Sequence, residues 1–321
     1  MYKLKITPYQ IELKHPWITS RGELNTRDGF WVSISEDGKN SVEGEGDAAP
    51  LPILGTETIE QCRTLLEKFV SITEKYTLNE LLEILADYRT TMPAACCGVE
   101  SAIIDLQSKL GENPLQIQKS VRPLRVNQAA GTLQQPTIDN SGNSIVKLKI
   151  GIESVESEIE LLKDLINTLP SHYRVRLDAN QAWSMEQALI FIRALNELSG
   201  VDRVESLEEP IVDPTLEQIN RLQHLSSFPI ALDESISHFE LHSLLNNNKL
   251  RRVVLKPTLI GGPQTTVKIA RQFKQHRVEV VITSTLESHI GVDSAIQCAL
   301  AIDPEQQLAH GLDTGKWLNE E

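Results

Sequence analysis

The sequence predicts an α/β fold, a modified (β/α)7β barrel of the TIM type with an N-terminal α+β capping domain. Two observations predict it. About the first hundred residues run from strand-like to helix-like patterns, whereas the rest of the chain alternates between the two. In that second part, charged residues recur at predicted strand ends, about once per strand–helix unit. We assign residues 1–110 to the cap and residues 111–321 to the barrel, and the last residues can return to the cap.

The capping domain begins with alternating apolar and polar residues, which predict strands at Leu4–Leu13, Phe30–Ile34 and Val42–Gly46. Asp28-Gly29 predicts a hairpin turn, and Pro16–Arg27 predicts a long loop of the kind that is often functional. Apolar residues three and four apart then predict helices at Thr58–Ile72, Leu78–Tyr88 and Pro93–Lys109. The last of these helices has a face of small apolar residues and should pack tightly.

The barrel domain begins where strands and helices start to alternate, and seven or eight such units predict a closed barrel of parallel strands. The predicted strands are Val126–Ala130, Ile145–Ile150, Val175–Ala179, Val204–Glu208, Ile230–Asp233, Arg252–Lys256, Val278–Ser284 and Gln307–Leu312. The predicted helices between them include Val155–Asn167, Met185–Leu198, Leu216–Leu225 and Thr265–Gln275.

Composition excludes several classes of protein. The net charge of -13 disfavours nucleic acid, because phosphate binding needs a basic surface. No apolar run approaches the roughly 20 residues that cross a membrane, and the N-terminus lacks the apolar segment of a signal peptide. The four cysteines form neither a zinc motif nor a disulfide framework, so we expect reduced thiols and a cytoplasmic enzyme. No obligate protein partner is evident.

A pair of lysines in the stretch Ile145–Ile150 is the first candidate for chemistry. Lys147 and Lys149 are two residues apart on a predicted strand, so their side chains share one face with Cα atoms roughly 6.5 Å apart. Mutual repulsion and desolvation should lower the pKa of at least one of them, which suits a general base. The alternative is a solvated polar face of a surface strand.

Acidic residues end the strands that follow. Asp178, Glu209 and Asp233 are succeeded by Lys256, and neighbours in this series are 23 to 31 residues apart. Such residues should converge at the carboxyl end of a barrel, where three carboxylates need a cation, and Mg²⁺ is the hard ion that suits oxygen ligands. A metal between amines suits removal of a proton α to a carboxylate. The alternatives are helix caps and ordinary surface charges.

These motifs resemble the enolase superfamily, in the muconate-lactonizing-enzyme-like subgroup that places a lysine on each side of the metal. The resemblance rests on K-L-K, L-D-A-N, E-E-P, D-E-S and L-K-P, and it covers nearly the whole chain. Further stretches are shared with members of the subgroup: T-R-D-G (Thr26–Gly29), R-L-D-A-N-Q-A-W (Arg176–Trp183), L-K-P-T-L-I-G-G (Leu255–Gly262), T-S-T-L-E-S (Thr283–Ser288) and G-L-D-T (Gly311–Thr314).

The resemblance implies a role for each candidate residue. Mg²⁺, with Mn²⁺ as the alternative, would be bound by Asp178, Glu209 and Asp233. Lys149 would be the base and Lys147 would hold down its pKa, while Lys256 would stabilise the anion from the opposite side of the substrate. The residues implied in binding a small carboxylate substrate are Thr283, Ser284, Gly311 and Arg27.

The reaction that the resemblance implies first is the dehydration of 2-succinyl-6-hydroxy-2,4-cyclohexadiene-1-carboxylate. Racemisation or epimerisation of an acylated amino acid or a dipeptide is the second hypothesis, and a non-catalytic metal-binding barrel is the third. Dipeptide epimerases of this superfamily carry an Asp-x-Asp pair near the last strand. This chain has Asp313 but Gly315 at the second position, so we expect it to bind a free ammonium group poorly.

Overall fold

The computed structural model of this chain describes residues 1–19, 22–36, 42–120, 122–139 and 142–320. The strands are β1 (Tyr2–Thr19), β2 (Gly22–Glu36), β3 (Glu43–Ala48), β4 (Gln128–Thr132), β5 (Gln135–Pro136), β6 (Ile145–Lys149), β7 (Arg174–Asp178), β8 (Val204–Glu208), β9 (Ile230–Leu232), β10 (Arg252–Leu255) and β11 (Glu279–Ile282). The α-helices are α1 (Ile59–Ile72), α2 (Leu78–Ala86), α3 (Pro93–Lys109), α4 (Val155–Thr168), α5 (Met185–Asn196), α6 (Leu216–Leu225), α7 (Leu241–Leu245), α8 (Pro257–Ile260), α9 (Pro263–Gln275) and α10 (His289–Ile302).

The first three strands form an antiparallel sheet in the order β1-β2-β3. The loop predicted at Pro16–Arg27 is wrong, because β1 and β2 pair through most of it; residues 20 and 21 lie outside the described part. The turn predicted at Asp28-Gly29 is also wrong, because Gly29 lies inside β2 opposite Tyr9. A Cβ at Gly29 would lie 2.4 Å from the hydroxyl of Tyr9, so this glycine makes room for a neighbouring side chain.

The helices of the cap follow the sequence closely. Thr58 and Thr77 begin α1 and α2 with capping boxes, in which each threonine and the residue three positions later satisfy each other's backbone N–H. Helix α3 has the predicted bounds and is buried along most of its length. Its apolar residues form one core with Phe30, Val32 and Ile34 of β2, which confirms the predicted tight packing.

The second part of the chain is an α/β barrel sheet in the order β11-β10-β9-β8-β7-β6-β4-β5. Pairing along the series from β4 to β10 is parallel, apart from the short antiparallel β5. The strands predicted from Val126 to Ser284 all appear, with ends shifted by at most two residues. The strand predicted at Gln307–Leu312 is reduced to one parallel bridge between Thr283 and Gly311.

The chain divides into two compact units, which are Met1–Leu124 with Leu255–Arg271 and Ile282–Glu321, and Arg125–Val254 with Gln272–Val281. In the first unit the tail returns to β1, where Leu318 pairs with Leu13. The boundary between residues 110 and 111 stays a prediction. All four cysteines are buried and unpaired. Within the described residues, no helix has the length and apolarity needed to cross a membrane.

Candidate active site

Parallel register lines up charged residues at the carboxyl ends of three neighbouring strands in the second unit. Lys149 of β6 lies opposite Asp178 of β7, and Asp178 lies opposite Glu208 of β8. Lys147 lies opposite Arg176, so the two lysines share a face, as the alternation of strand side chains requires. The register therefore places the two lysines and Asp178 on neighbouring strands at these ends.

Lys147 holds two carboxylates together. Its Nζ lies 2.8 Å from Oδ2 of Asp178 and 2.6 Å from Oε1 of Glu208, and its side chain is 23% exposed. Burial lowers the pKa of Lys147, but the charges of Asp178, Glu208 and Asp233 outweigh burial and raise that pKa well above its usual range. The lowered pKa that was predicted for at least one of the two lysines does not occur at Lys147, because two carboxylates lie within hydrogen-bond distance of its ammonium group.

Glu209 is a buried carboxylate in a strained backbone position, with a φ of 44° and 1% exposure. Its Oε1 accepts hydrogen bonds from the N–H of Asp233 at 2.6 Å and from the N–H and hydroxyl of Ser235 at 3.0 and 2.6 Å. Gln181 donates to Oε2 at 3.0 Å. Burial, and then the charge of Glu234, raise the pKa of Glu209 to about 7. A cation would favour its ionised form.

The strand-end acids are not helix caps. Helix α5 is capped by Ser184 and α6 by Thr215, so the alternative role predicted for Asp178 and Glu209 is excluded. Asp233 precedes the 3₁₀ turn Glu234–His238 and makes no side-chain capping bond to it. Asp178 is the last residue of β7, and Glu209 and Asp233 directly follow the ends of β8 and β9. The three acids are nearly inaccessible, with exposures of 4%, 1% and 8% respectively.

The donor set of these three residues fits a hard divalent ion, because it consists of carboxylate oxygens. Within the described ranges, however, no three His, Cys, Asp or Glu side chains are arranged as a metal-binding group. Lys147 engages Asp178, and main-chain N–H groups and Ser235 engage Glu209. The chemistry of the donors and their strand positions therefore fit Mg²⁺, while Asp178 and Glu209 have partners within the protein.

Lys256 lies in the first unit, directly before α8. It is 8% exposed, which excludes a solvated surface lysine, and its carbonyl accepts hydrogen bonds from the N–H groups of Leu259 and Ile260 at 3.0 Å. The turn that follows is held by Glu100, which accepts from the N–H of Gln264 at 2.7 Å and from Arg89. The backbone that carries Lys256 is therefore anchored by buried polar contacts.

Thr283, Ser284 and Gly311 come together in the first unit. The N–H of Ser284 and the hydroxyls of Thr283 and Ser284 all donate to the carbonyl of Gly311, at 3.0, 2.8 and 3.2 Å. The hydroxyls of Ser284 and Thr314 are 2.6 Å apart. The N–H of Gly311 donates to the carbonyl of Ile282 at 2.8 Å, so it is engaged in the strand bridge. A hydroxyl proton can rotate from the Gly311 carbonyl to a new acceptor, whereas this N–H is fixed in the bridge, so a substrate carboxylate would depend on the hydroxyls.

Arg27 is 2% exposed, and its guanidinium group binds main-chain carbonyl groups. Nε donates to Leu286 at 3.0 Å, Nη1 to Pro50 at 2.6 Å and to Asp28 at 3.2 Å, and Nη2 to Ala49. These contacts disfavour the predicted contact between Arg27 and substrate, because most of its donors already have partners. The guanidinium instead joins β2 to the loop after β11.

Sequence reasoning gave Glu208 no role in the site. Glu208 is 1% exposed and bound to Lys147. A signal was available, since Glu208 ends its strand in the same register as Asp178. Sequence reasoning also missed a buried layer in which Glu205 joins Arg176 and Arg252. No local pattern marks that layer, because its members come from three separate strands.

Two family models match this chain. The model described as "MenC, N-terminal domain" matches residues 1–106, and the model described as "Enolase C-terminal domain-like" matches residues 131–320. Among curated proteins, o-succinylbenzoate synthase from Aliivibrio fischeri (strain MJ11) is 28% identical over 321 residues, which cover 98% of this chain and 90% of that protein.

Solved structures show the same fold. The L-Ala-D/L-Glu epimerase from Bacillus subtilis, in a substrate-liganded complex, has a TM-score of 0.83 at 19% identity and covers 99% of this chain and 91% of its own. The o-succinylbenzoate synthase from Thermosynechococcus elongatus BP-1, complexed with Mg in the active site, has a TM-score of 0.76 at 24% identity and covers 98% and 92%. At these sequence identities, the similarity to the solved structures shows the fold and nothing more. Because the family model described as "Enolase C-terminal domain-like" matches more than half of the residues of this chain, the chain belongs to that family.

Proposed function

We propose that this chain is an o-succinylbenzoate synthase, which converts 2-succinyl-6-hydroxy-2,4-cyclohexadiene-1-carboxylate into o-succinylbenzoate and water. The product would serve menaquinone or phylloquinone biosynthesis. One observation carries the proposal: similarity to o-succinylbenzoate synthases runs along nearly the whole chain, and strand ends there bear the lysines and carboxylates that the chemistry needs.

Asp178, Glu209 and Asp233 would hold Mg²⁺. A bound ion would supply positive charge that favours loss of the proton α to the ring carboxylate of the substrate. The chain already contains the cation that keeps two of the local carboxylates ionised, because Lys147 binds Asp178 and Glu208. Lys147 remains protonated, and its charge disfavours a second proton on Lys149 in the same strand.

Lys149 is the base in this proposal. It removes the proton α to the ring carboxylate, and the resulting anion expels the hydroxyl from the same face of the ring. The proton on Lys149 passes to that hydroxyl, so water leaves and the ring becomes aromatic. The charge of Lys256 stabilises the anion, and the hydroxyls of Thr283 and Ser284 bind the succinyl carboxylate.

The test is ultraviolet detection of the aromatic product from the cyclohexadiene substrate, with Mg²⁺ and after its removal by a chelator. Lys149→Ala should abolish turnover. Lys163→Ala is the matched control and should retain turnover, because Lys163 is an exposed lysine on α4 that pairs with Glu160 at 3.5 Å. Absence of aromatic product from the wild-type protein with Mg²⁺ would refute the proposal.

Dipeptide epimerisation is the second candidate, because the solved epimerase has the same fold at a TM-score of 0.83. The residue that would bind a substrate ammonium group argues against it. Asp313 is in contact with the ammonium group of Lys316, and position 315 is glycine, so a second carboxylate is missing at that position. We expect no exchange of the α-proton of L-Ala-L-Glu in deuterated water. Rapid exchange without aromatisation would reverse the order of the two candidates. If the protein showed neither exchange nor aromatisation, the result would favour a non-catalytic metal-binding barrel.

A further inference from the structure

We propose that Glu287 is a positioning residue that ties the loop carrying Thr283 and Ser284 to the turn carrying Lys256. The roles of these three residues in the reaction rest on the proposed function, whereas the contacts of Glu287 are properties of the first unit alone. Glu287 belongs to the stretch T-S-T-L-E-S, and it is 2% exposed. A carboxylate buried to that degree needs hydrogen-bond donors, and their identity defines what it joins.

The donors to Glu287 come from two segments. Oε1 accepts the hydroxyl of Thr258 at 2.7 Å and also the hydroxyl of Thr285, while Oε2 accepts the N–H of Thr285. Thr258 is two residues after Lys256 and is itself 2% exposed. Thr285 directly follows Ser284. One carboxylate therefore connects the backbone next to Lys256 with the backbone next to the two candidate substrate hydroxyls.

The loop that contains Glu287 has a strained backbone, and cap residues form hydrogen bonds with the residues directly before and after Glu287. Leu286 has a φ of 63°, which is costly for a branched side chain, and its carbonyl accepts Nε of Arg27 at 3.0 Å. The N–H and hydroxyl of Ser288 donate to Oδ2 of Asp47 at 2.8 and 2.7 Å. These contacts keep a conformation that the loop would leave without them.

Space for Glu287 is provided by Gly291 in the first turn of α10. A Cβ at Gly291 would lie 2.4 Å from the Cβ of Glu287 and 2.9 Å from Oδ2 of Asp47. The carboxylates thus lie against the start of α10 where only a glycine fits. This arrangement defines the distance between the turn after Lys256 and the loop after β11, and catalytic groups lose efficiency when they are misplaced by about 1 Å.

Thr258→Val tests the tie, because it removes the donating hydroxyl and preserves side-chain shape. We expect kcat for dehydration to fall about tenfold, which corresponds to about 1.4 kcal/mol, with KM changed less than about twofold. Thr258→Ser keeps the hydroxyl and should restore most of kcat. Thr73→Val is the matched control, because Thr73 is equally buried and its hydroxyl donates to the carbonyl of Phe69 at 2.6 Å, within the cap.

Hydrogen exchange of backbone amides supplies a readout that does not depend on activity. Thr258→Val should speed exchange across residues 283–288 as well as 256–262, and Thr73→Val should not. If the wild-type protein fails to dehydrate the substrate, the proposed function is wrong. Amide hydrogen exchange alone then tests whether Glu287 connects the two segments. Exchange in residues 283–288 equal to that of Thr73→Val would overturn the proposal, whatever happens to kcat. If Thr258→Val does not fold, Thr258→Ala, which also removes the donating hydroxyl, replaces it with the same expected results.

Discussion

Glu205 offers a quantitative test of the buried charge layer in the second unit. It is 4% exposed, and its Oε2 accepts Nε of Arg176 at 3.0 Å and also binds Nη1 of Arg252. Burial raises the pKa of Glu205, but the two guanidinium groups outweigh burial and hold it well below its usual range. Arg176 and Arg252 are 2% and 3% exposed, so both depend on this carboxylate for charge compensation.

Glu205→Gln keeps the shape of the side chain and removes its charge. Arg176 would retain Asn127 at 3.1 Å, and Arg252 would retain Glu279 at 2.7 Å, a carboxylate whose side chain is 45% exposed. Loss of one partner from a buried ion pair costs about 3–5 kcal/mol, so we expect the free energy of unfolding to fall by about 4 kcal/mol. For a domain of this size, Tm should fall by roughly 10 °C.

The assay is urea unfolding followed by circular dichroism at neutral pH and again in acid. Because the folded pKa of Glu205 is lowered, its contribution is present above its ordinary value of 4.5 and is lost as the pH falls through the folded value. The wild-type protein and Glu205→Gln should therefore converge in acid. Glu160→Gln, at an exposed ion pair, is the control and should behave as wild type. A loss below about 1 kcal/mol for Glu205→Gln would refute the reasoning.

Three further predictions concern the candidate site and the cap. Glu209→Ala should lower turnover at least ~10²-fold, measured across a Mg²⁺ titration, because charge stabilisation is lost; near-normal turnover at low Mg²⁺ would contradict the ligand assignment. Lys149→Ala should abolish turnover while Mg²⁺ binding persists in calorimetry, and wild-type protein should turn over substrate deuterated at the α-carbon more slowly. Burial raises the pKa of Asp47 from 3.8 to about 6, although hydrogen bonds from Ser288 and Tyr9 lower it. The stabilising contribution of Asp47 is therefore present below pH 3.8 and is lost as the pH rises through about 6. The free energy of unfolding should fall by up to about 3 kcal/mol across that range relative to Asp47→Asn, and a rise would contradict the assignment.

Much of the barrel could be predicted because its signals are local. A strand ends where an apolar run meets a turn residue, and the next helix begins at a capping residue such as Ser184 or Thr215. Parallel register then follows from the repeat itself, so Lys149 and Asp178 could be placed together from their positions in successive units. The predicted enolase-type family is confirmed by the family model over residues 131–320.

The errors arose where distant residues decide. Asp28-Gly29 has the composition of a turn, but Gly29 pairs in a strand with Tyr9, twenty residues earlier in the chain, and the Tyr9 side chain occupies the space above Gly29. The substrate contact of Arg27 stays a prediction, but a motif in the sequence could not show that Arg27 binds the carbonyl groups of residues 49, 50 and 286. Hydrogen-bond partners that far apart leave no periodic trace in the sequence.

The sequence by itself determined the order of strands and helices, the family, and the residue types at each strand end, because these follow from short-range periodicity and capping. Only the tertiary structure decided the electrostatics. Two lysines in one strand predict a lowered pKa for at least one of them. The pKa of Lys147 is instead raised, because Lys147 is held between Asp178 and Glu208. The physical reason is that Coulomb energies depend on distances of a few ångströms between side chains from different strands, and folding alone establishes those distances.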